Sequence, residues 1–370
     1  MNAPAIVIAA GGTGGHFFPA EALATKLHRR GRRVVLMTDA RSAGLESPTF
    51  AGCQRFVLRG AGVSGRGLGG AMQGAVELAA GTFQARRAFL GLNAAVVVGF
   101  GGYPAIAPIL GSRLLGSKPR VVLHEQNAVL GRANRLLARF ADTLALSHEV
   151  TQKVPAGVKT VLVGTPVRPA VAELAGAPYQ APEPGGEFRL LVLGGSQGAR
   201  VFSQVVPAAL AALPEALRAR LRLVQQCRPE DLEAVRATYA AAGIAAELAS
   251  FFSDVAARMA AAHLVISRAG ASSVAEIAAI GRPCVLVPLP GAIDDHQSAN
   301  ARTLLAAGGA YVMAQPDFTA PALTGQLAEV MADPSGLPEA AQASAGRGIV
   351  DAAARLADLV EQTVAQELAA

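Results

Sequence analysis

The run Gly11-Gly12-Thr13-Gly14-Gly15-His16 constrains this chain more than any other stretch. It follows the apolar residues 5–10 and precedes a helical pattern over 19–30 in which Leu23 and Leu27 share a face. A strand, a glycine turn and a helix in succession aim several backbone N–H groups and the positive end of a helix at one point, which suits an anion. Pro19 fits the first helical turn and Gly31 the C-terminal stop. His16 is the only titratable side chain in the run. The spacing is not a dinucleotide fingerprint, because G-x-G-x-x-G begun at Gly12 needs glycine at position 17, where Phe17 stands.

Short apolar runs at 6–8, 34–37, 55–58, 95–98, 121–123 and 143–146 alternate with helical stretches. A Pro- and Gly-rich segment over 164–186 reads as a linker. The opening then repeats, with a strand over 190–193 and the turn GGSQGAR, and further strands at 221–224, 264–266, 284–287 and 310–312. Continuous apolar strands separated by helices predict α/β architecture: two doubly wound parallel-sheet domains, each covered on both faces. Ligands bind such sheets at the C-terminal ends of the strands, so a cleft between two of them is the expected active site. The expected division is 1–164, 165–350, and a last helix over 351–370. In that helix Leu356, Val360, Val364 and Leu368 form a stripe that needs an apolar surface.

Composition narrows the function classes. Cys53, Cys227 and Cys284 are far apart and odd in number, which fits reduced thiols and gives neither a disulfide frame nor a zinc site. The chain shows no basic leader ahead of the first strand and no apolar run long enough to span a bilayer, so a soluble or peripheral protein is expected. Residues 1–164 hold 19 Lys+Arg against 7 Asp+Glu, a net of +12, while 165–370 hold 14 against 20, a net of −6. That asymmetry points the first half at an anionic surface, membrane or nucleic acid. Single-stranded nucleic acid is disfavoured because aromatic stacking residues are few, at 5% of the chain.

Four more motifs carry chemistry. GFGGYP contributes Gly101, Gly102 and Tyr103 after a strand. His124, Glu125, Gln126 and Asn127 close a buried strand, where polar side chains are costly unless they line a site. The stretch from Ser267 to Glu276 opens a helix after a strand. Its Gly270, Ala271, Ser272 and Ser273 would turn N–H groups and hydroxyls to a phosphate, with Arg268 near by, and Glu276 could accept from a ribose diol. The loop Asp294, Asp295, His296 and Gln297 is weak as a metal site, with no third ligand evident, and hydrogen bonding to sugar hydroxyls by Gln297 suits it better. Between Arg59 and Arg87 a helix aligns Leu68, Met72, Val76 and Phe83 beside Arg66, Arg86 and Arg87. This pattern fits either a helix seated on anionic lipid or one facing the core.

GGTGGHFFPA, GFGGYP, HEQN, GTPVR, GGSQGAR and SRAGASSVAEIAAIGRPCVLVPLPGAIDDHQSANA, in this order across the chain, closely resemble the MurG family of UDP-N-acetylglucosamine transferases. The resemblance implies a GT-B fold with the last helix returning to the first domain. It implies an inverting transfer of GlcNAc from UDP-GlcNAc to the C4 hydroxyl of MurNAc in lipid I. The product is lipid II of peptidoglycan, which ties the chain to cell-wall growth, cell shape and division. Thr13, Gly14, Gly15 and Asn127 would meet the donor from the first domain, and Arg168 and Ser196 from the second-domain side. The backbone at Phe252 would recognise uracil, Ala271, Ser272, Ser273, Val274, Ala275 and Glu276 the diphosphate and ribose, and Gln297 the GlcNAc hydroxyls. Gly101, Gly102, Tyr103 and His124 are candidates for the acceptor.

His16 is the candidate general base and Glu125 the reserve. No Asp-x-Asp element is present, so helix N-termini and arginine would carry the leaving diphosphate, with no cofactor and no obligatory metal. The expected location is peripheral, on the anionic cytoplasmic face of a bacterial inner membrane. Lipid I and UDP-GlcNAc would be partners there, alongside cell-wall synthesis or division proteins. The chain lacks the Trp often found on the family's membrane patch. The alternatives are a GT-B transferase or epimerase using UDP-GlcNAc with a soluble partner, and a non-catalytic nucleotide-sugar binder.

Overall fold

Among the described residues of the computed structural model thirteen strands form, the central ones from runs of Val, Ile, Leu and Ala buried on both faces and the edge ones partly exposed. The structure describes residues 3–12, 14–42, 44, 47–60, 68–195 and 198–368, with the backbone alone at 68, 69, 71 and 368. The chain forms two compact units: Met1–Arg168 with Val350–Ala370, and Pro169–Ile349.

The first unit holds β1 (Ala5–Ala9), β2 (Arg33–Asp39), β3 (Gln54–Leu58), β4 (Ala94–Gly99), β5 (Arg120–Glu125), β6 (Thr143–Leu146) and β7 (Thr160–Leu162). They pair in parallel in the order β3-β2-β1-β4-β5-β6-β7. The second holds β8 (Phe188–Leu193), β9 (Leu221–Gln226), β10 (Ala246–Ala249), β11 (Leu264–Ser267), β12 (Cys284–Leu286) and β13 (Ala310–Val312), parallel in the order β10-β9-β8-β11-β12-β13. In both units the order reverses beside the first strand, at β1/β4 and at β8/β11, which is where the doubly wound topology opens a crevice. The apolar runs of the sequence do not mark β7 and β10. Both are short edge strands, and Thr160 and Leu162 are exposed, so neither shows a buried apolar run.

The last helix, Ala352–Leu368, packs on the first unit. Leu356, Ala357 and Val360 are fully buried in one cluster with Phe17, Leu23, Leu27 and Phe50, and Val364 lies against it. Its polar face is pinned by Arg30 to Asp358 and Glu361, by Arg32 to Glu361, and by Arg120 to Glu367. The boundary expected after residue 164 falls after Arg168 instead. The residues 164–167 are buried in the first unit, and the Gly164 carbonyl is held there by a buried histidine. No helix among the described residues is long and apolar enough to cross a membrane.

Candidate active site

In the first unit the loops leaving β1 and β4 part at the switch point. Gly11 admits no side chain, since a Cβ there would lie 2.6 Å from Asp39 Oδ1 and 2.9 Å from Thr38 Oγ1. Gly12 turns the chain at φ +86°, the left-handed region that glycine adopts without strain. Its N–H donates to Ser42 Oγ at 2.6 Å and to Asp39 Oδ1 at 3.3 Å. The helix Gly14–Arg29 then begins within the glycine run itself.

Asp39, the last residue of β2, also accepts from the Ser42 N–H and from the Tyr103 hydroxyl. One carboxylate therefore fixes the first glycine turn and the tyrosine of the second. Burial pushes this carboxyl up, but the bonds from Tyr103, Ser42 and Gly12 outweigh burial and hold it below the ordinary value. Burial, and after it the same bond, pushes the Tyr103 phenol up to about 12, so it remains a donor. The His16 ring lies across Gly102: a Cβ there would stand 3.5 Å from its Cε1 and 3.7 Å from its Nδ1. Gly14, Gly15 and His16 are all partly exposed, as is Gly102. Thr13 lies outside the described residues.

The four polar residues at the end of β5 were expected to line the site, and three of them do not. His124, Glu125 and Gln126 are each no more than 2% exposed. The His124 Nε2–H donates to the Gly164 carbonyl at 2.9 Å, and Nδ1 accepts from Gln126 Nε2 at 3.0 Å. Gln126 Nε2 also donates to the Phe100 carbonyl at 3.1 Å. Burial lowers the His124 pKa to about 4, so the ring is neutral. As a candidate for contact with the acceptor His124 is therefore corrected: it ties the β4 turn to the chain at Gly164, and a fully buried ring reaches no ligand.

Glu125 accepts four bonds. Oε1 takes the Asn127 N–H and Asn127 Nδ2, both at 3.0 Å, and Oε2 takes the Gly131 N–H at 2.8 Å and Asn134 Nδ2 at 2.9 Å. A buried carboxylate with both oxygens occupied by donors is badly placed to take a proton from a ligand, so its expected part as reserve base does not fit the geometry. Asn127 is the member of the quartet that remains partly exposed. Arg168, expected on the second-domain side, belongs to the first unit, with its guanidinium 5.7 Å from the centroid of Phe18.

In the second unit the turn after β8 and the segment after β11 take the corresponding positions. The helix Ala271–Ile280 starts from Gly270, an N-cap that brings no side-chain bond of its own. By helix geometry the N–H groups of Ala271, Ser272 and Ser273 point outward from that end. Ala271, Ser272, Ser273 and Ala275 are partly exposed, while Val274 and Glu276 are 4% and 7% exposed. Arg268 does not face this turn. Its guanidinium donates to the carbonyls of Val287 and Pro288 and to Gln315 Oε1, and lies 5.3 Å from the Phe202 ring.

Gln297 Oε1 accepts the Leu289 N–H at 2.9 Å, in the first turn of the helix His296–Leu305. That helix is entered through Asp294 and Asp295, both at left-handed φ of 56° and 53°, a conformation that costs energy in residues other than glycine. Phe252 is buried beneath the Arg258 guanidinium, 4.4 Å away. Ser196 lies outside the described residues. Among the described residues no three His, Cys, Asp or Glu side chains gather as a metal cage.

Four residues that the sequence did not single out hold these turns in place. Asp39 and Asn134 act in the first unit as described. Gln226 binds Gly194, Gly195 and the Ser250 carbonyl, joining the β8 turn to the segment before Phe252. Asn300, fully buried, donates to the Ala269 carbonyl and couples the helix His296–Leu305 to the turn after β11. A polar residue at the end of an apolar strand or inside a buried helix turn was the available signal in each case.

Two parallel sheets in the same doubly wound order, each with a glycine turn at its switch point, are the architecture of GT-B glycosyltransferases. The chain belongs to glycosyltransferase family 28 and, within it, to the MurG transferases. Its residues 6–146 match the glycosyltransferase family 28 N-terminal domain and residues 189–356 the C-terminal domain. It is 60% identical to the UDP-N-acetylglucosamine–N-acetylmuramyl-(pentapeptide) pyrophosphoryl-undecaprenol N-acetylglucosamine transferase of Granulibacter bethesdensis, over 97% of this chain and 94% of that relative. The relative of the same name from Acidiphilium cryptum is 54% identical over 98% of each chain. The crystal structure of Acinetobacter baumannii MurG superposes with a TM-score of 0.77 at 30% identity, covering 97% of this chain and 99% of that one.

Proposed function

We propose that this enzyme transfers GlcNAc from UDP-GlcNAc to the C4 hydroxyl of the MurNAc unit of lipid I, with inversion to a β-1,4 link, to give lipid II. The observation that carries the reading is the His16 ring lying across Gly102, which brings a titratable group to the junction of the two glycine turns of the first unit. The relatives' shared name supplies donor and acceptor.

In this reading the second unit holds the donor. The first-turn N–H groups of Ala271, Ser272 and Ser273 take the diphosphate, Glu276 the ribose diol, the backbone at Phe252 the uracil and Gln297 the sugar hydroxyls. Ser196, with Thr13, Gly14, Gly15, Asn127 and Arg168 of the first unit, completes the donor contacts. Gly101, Gly102 and Tyr103 meet the acceptor. The acceptor oxygen attacks the anomeric carbon as its proton passes to His16. The bond to the diphosphate breaks on the opposite side, and the helix N-terminus stabilises the charge that develops on UDP. The step needs no obligatory metal and no cofactor.

The protein works peripherally on an anionic membrane, the cytoplasmic face of the inner membrane. The support is the helix Leu68–Leu90, where Met72, Val76, Phe83 and Leu90 are 62–70% exposed along one face beside exposed Arg86 and Arg87. A helix facing the core would have buried them.

Transfer of radiolabelled GlcNAc from UDP-GlcNAc to a lipid I analogue, in EDTA and with a soluble sugar as control, tests this reading. Labelled lipid product is expected. Label on the soluble sugar alone, or UDP release without lipid product, would overturn it.

A further inference from the structure

Beside its glycine turns the first unit carries an open cavity of about 320 Å³ to which none of the roles above assigns an occupant. It lies at the C-terminal ends of β2 and β3 and reaches the helix Leu68–Leu90 through Glu77. Its charged lining is Asp39, Arg41, Arg59 and Glu77, and Tyr103 is a wall shared with the acceptor turn. The volume is that of a small-ligand site. Arg41 is exposed, with its guanidinium 5.1 Å over the Tyr103 ring. Arg59 is exposed too, and its main chain is fixed by the bond from its N–H to Gln84 Oε1 at 2.9 Å.

Two guanidiniums and two carboxylates make this lining formally neutral with both signs present. A diphosphate has no donor to offer Asp39 and Glu77 and meets them only as like charges. A peptide is the better match, because its carboxylates suit the paired donors of arginine and its backbone amides suit the remaining polar rim. The acceptor named for the relatives has four parts: a muramyl sugar, a pentapeptide, a pyrophosphate and a polyprenol. The roles above give the acceptor's sugar to the glycine turns of the first unit and its polyprenol to the membrane beside the exposed apolar stripe, and leave the pyrophosphate and the pentapeptide without a seat.

We propose that this cavity binds the peptide of the acceptor, with Arg41 and Arg59 holding its carboxylates at the mouth of the glycine turn. The proposal rests on the lipid I reading.

Three lipid-linked acceptors test it: one with the full pentapeptide, one cut to a single residue, and one whose peptide carboxylates are amidated. The wild-type enzyme should use the full acceptor about tenfold better, in kcat/KM, than either of the others, as expected for charge-assisted bonds to a carboxylate. In Arg41→Gln and Arg59→Gln that preference should shrink towards one, through acceptor KM rather than kcat. Equal use of all three acceptors by the wild-type enzyme, a comparison that needs no variant, would overturn the proposal. So would a parallel fall on full and truncated acceptors in the variants, which would assign the arginines to the pyrophosphate. Absence of transfer to every acceptor would instead take down the lipid I reading and this proposal with it.

Discussion

His16 and His124 show how position decides what an imidazole can do. His16 is partly exposed at the meeting of two glycine turns, whereas His124 is sealed in a chain of bonds from Phe100 to Gly164. His16→Ala should lower kcat by about a hundredfold or more, the ordinary scale of general-base catalysis, while UDP-GlcNAc binding by calorimetry persists. Near-normal turnover would remove His16 as base. His124 binds its proton less readily folded, near pH 4, than unfolded, near 6.5, so its neutral form favours the fold. That contribution is whole above pH 6.5 and drains away as pH falls towards 4, by an amount on the order of a few kcal/mol. Urea unfolding at pH 7 and pH 5 should therefore show a smaller acid loss in His124→Gln than in the wild-type protein. An equal loss in both would contradict the buried-neutral assignment. From the sequence, polar residues closing a buried strand signalled a site. They could equally satisfy one another, and Glu125 with its four donors does so.

At the scale of elements, the sequence was read best where periodicity was strong and worst where a choice of face was open. Eleven strands were legible as apolar runs flanked by turns, while β7 and β10 escaped because a short edge strand buries too little to leave a pattern. The helix Leu68–Leu90 had two readings, since a stripe at helical spacing serves a core or a lipid surface alike. Exposure separates them: Val76 and Phe83 face outward, while Gly81, Ala85 and Phe89 are buried, Gly81 and Ala85 against the helix Ile106–Arg113. Met72→Glu combined with Phe83→Glu should weaken sedimentation with anionic vesicles about tenfold or more, each substitution removing one apolar side chain from the interface. Solution transfer to a short-chain acceptor is the control for folding. Undiminished sedimentation would place the membrane contact elsewhere. Arg268 stands beside the turn after β11 in sequence, but three bonds turn its guanidinium away from the helix N-terminus, a choice of direction that no spacing encodes.

Across the whole molecule, the architecture was legible because both halves repeat one plan, a strand and a glycine turn at the point where the sheet order reverses. The boundary was off by four residues, since a Pro- and Gly-rich composition marks a linker and does not show which side buries its first residues. The stripe of the last helix foretold a surface to cover, and the first unit supplies it. Leu356→Ala should destabilise that unit by about 2–5 kcal/mol, the usual range for emptying a fully buried leucine site. Chemical denaturation followed by a probe in the first unit would register this. An unchanged midpoint would show that the helix is not integral to its core.

That packing gives the protein an order of assembly during synthesis. The second unit, residues 169–349, leaves the ribosome with all its strands in hand and can close on itself. The first unit is translated earlier yet cannot finish, because the groove formed by Phe17, Leu23 and Leu27 stays open to water until residues 352–368 emerge. The half of the enzyme made first is thus the last to be completed, and in the meantime its unfilled groove is a surface for chaperones to hold.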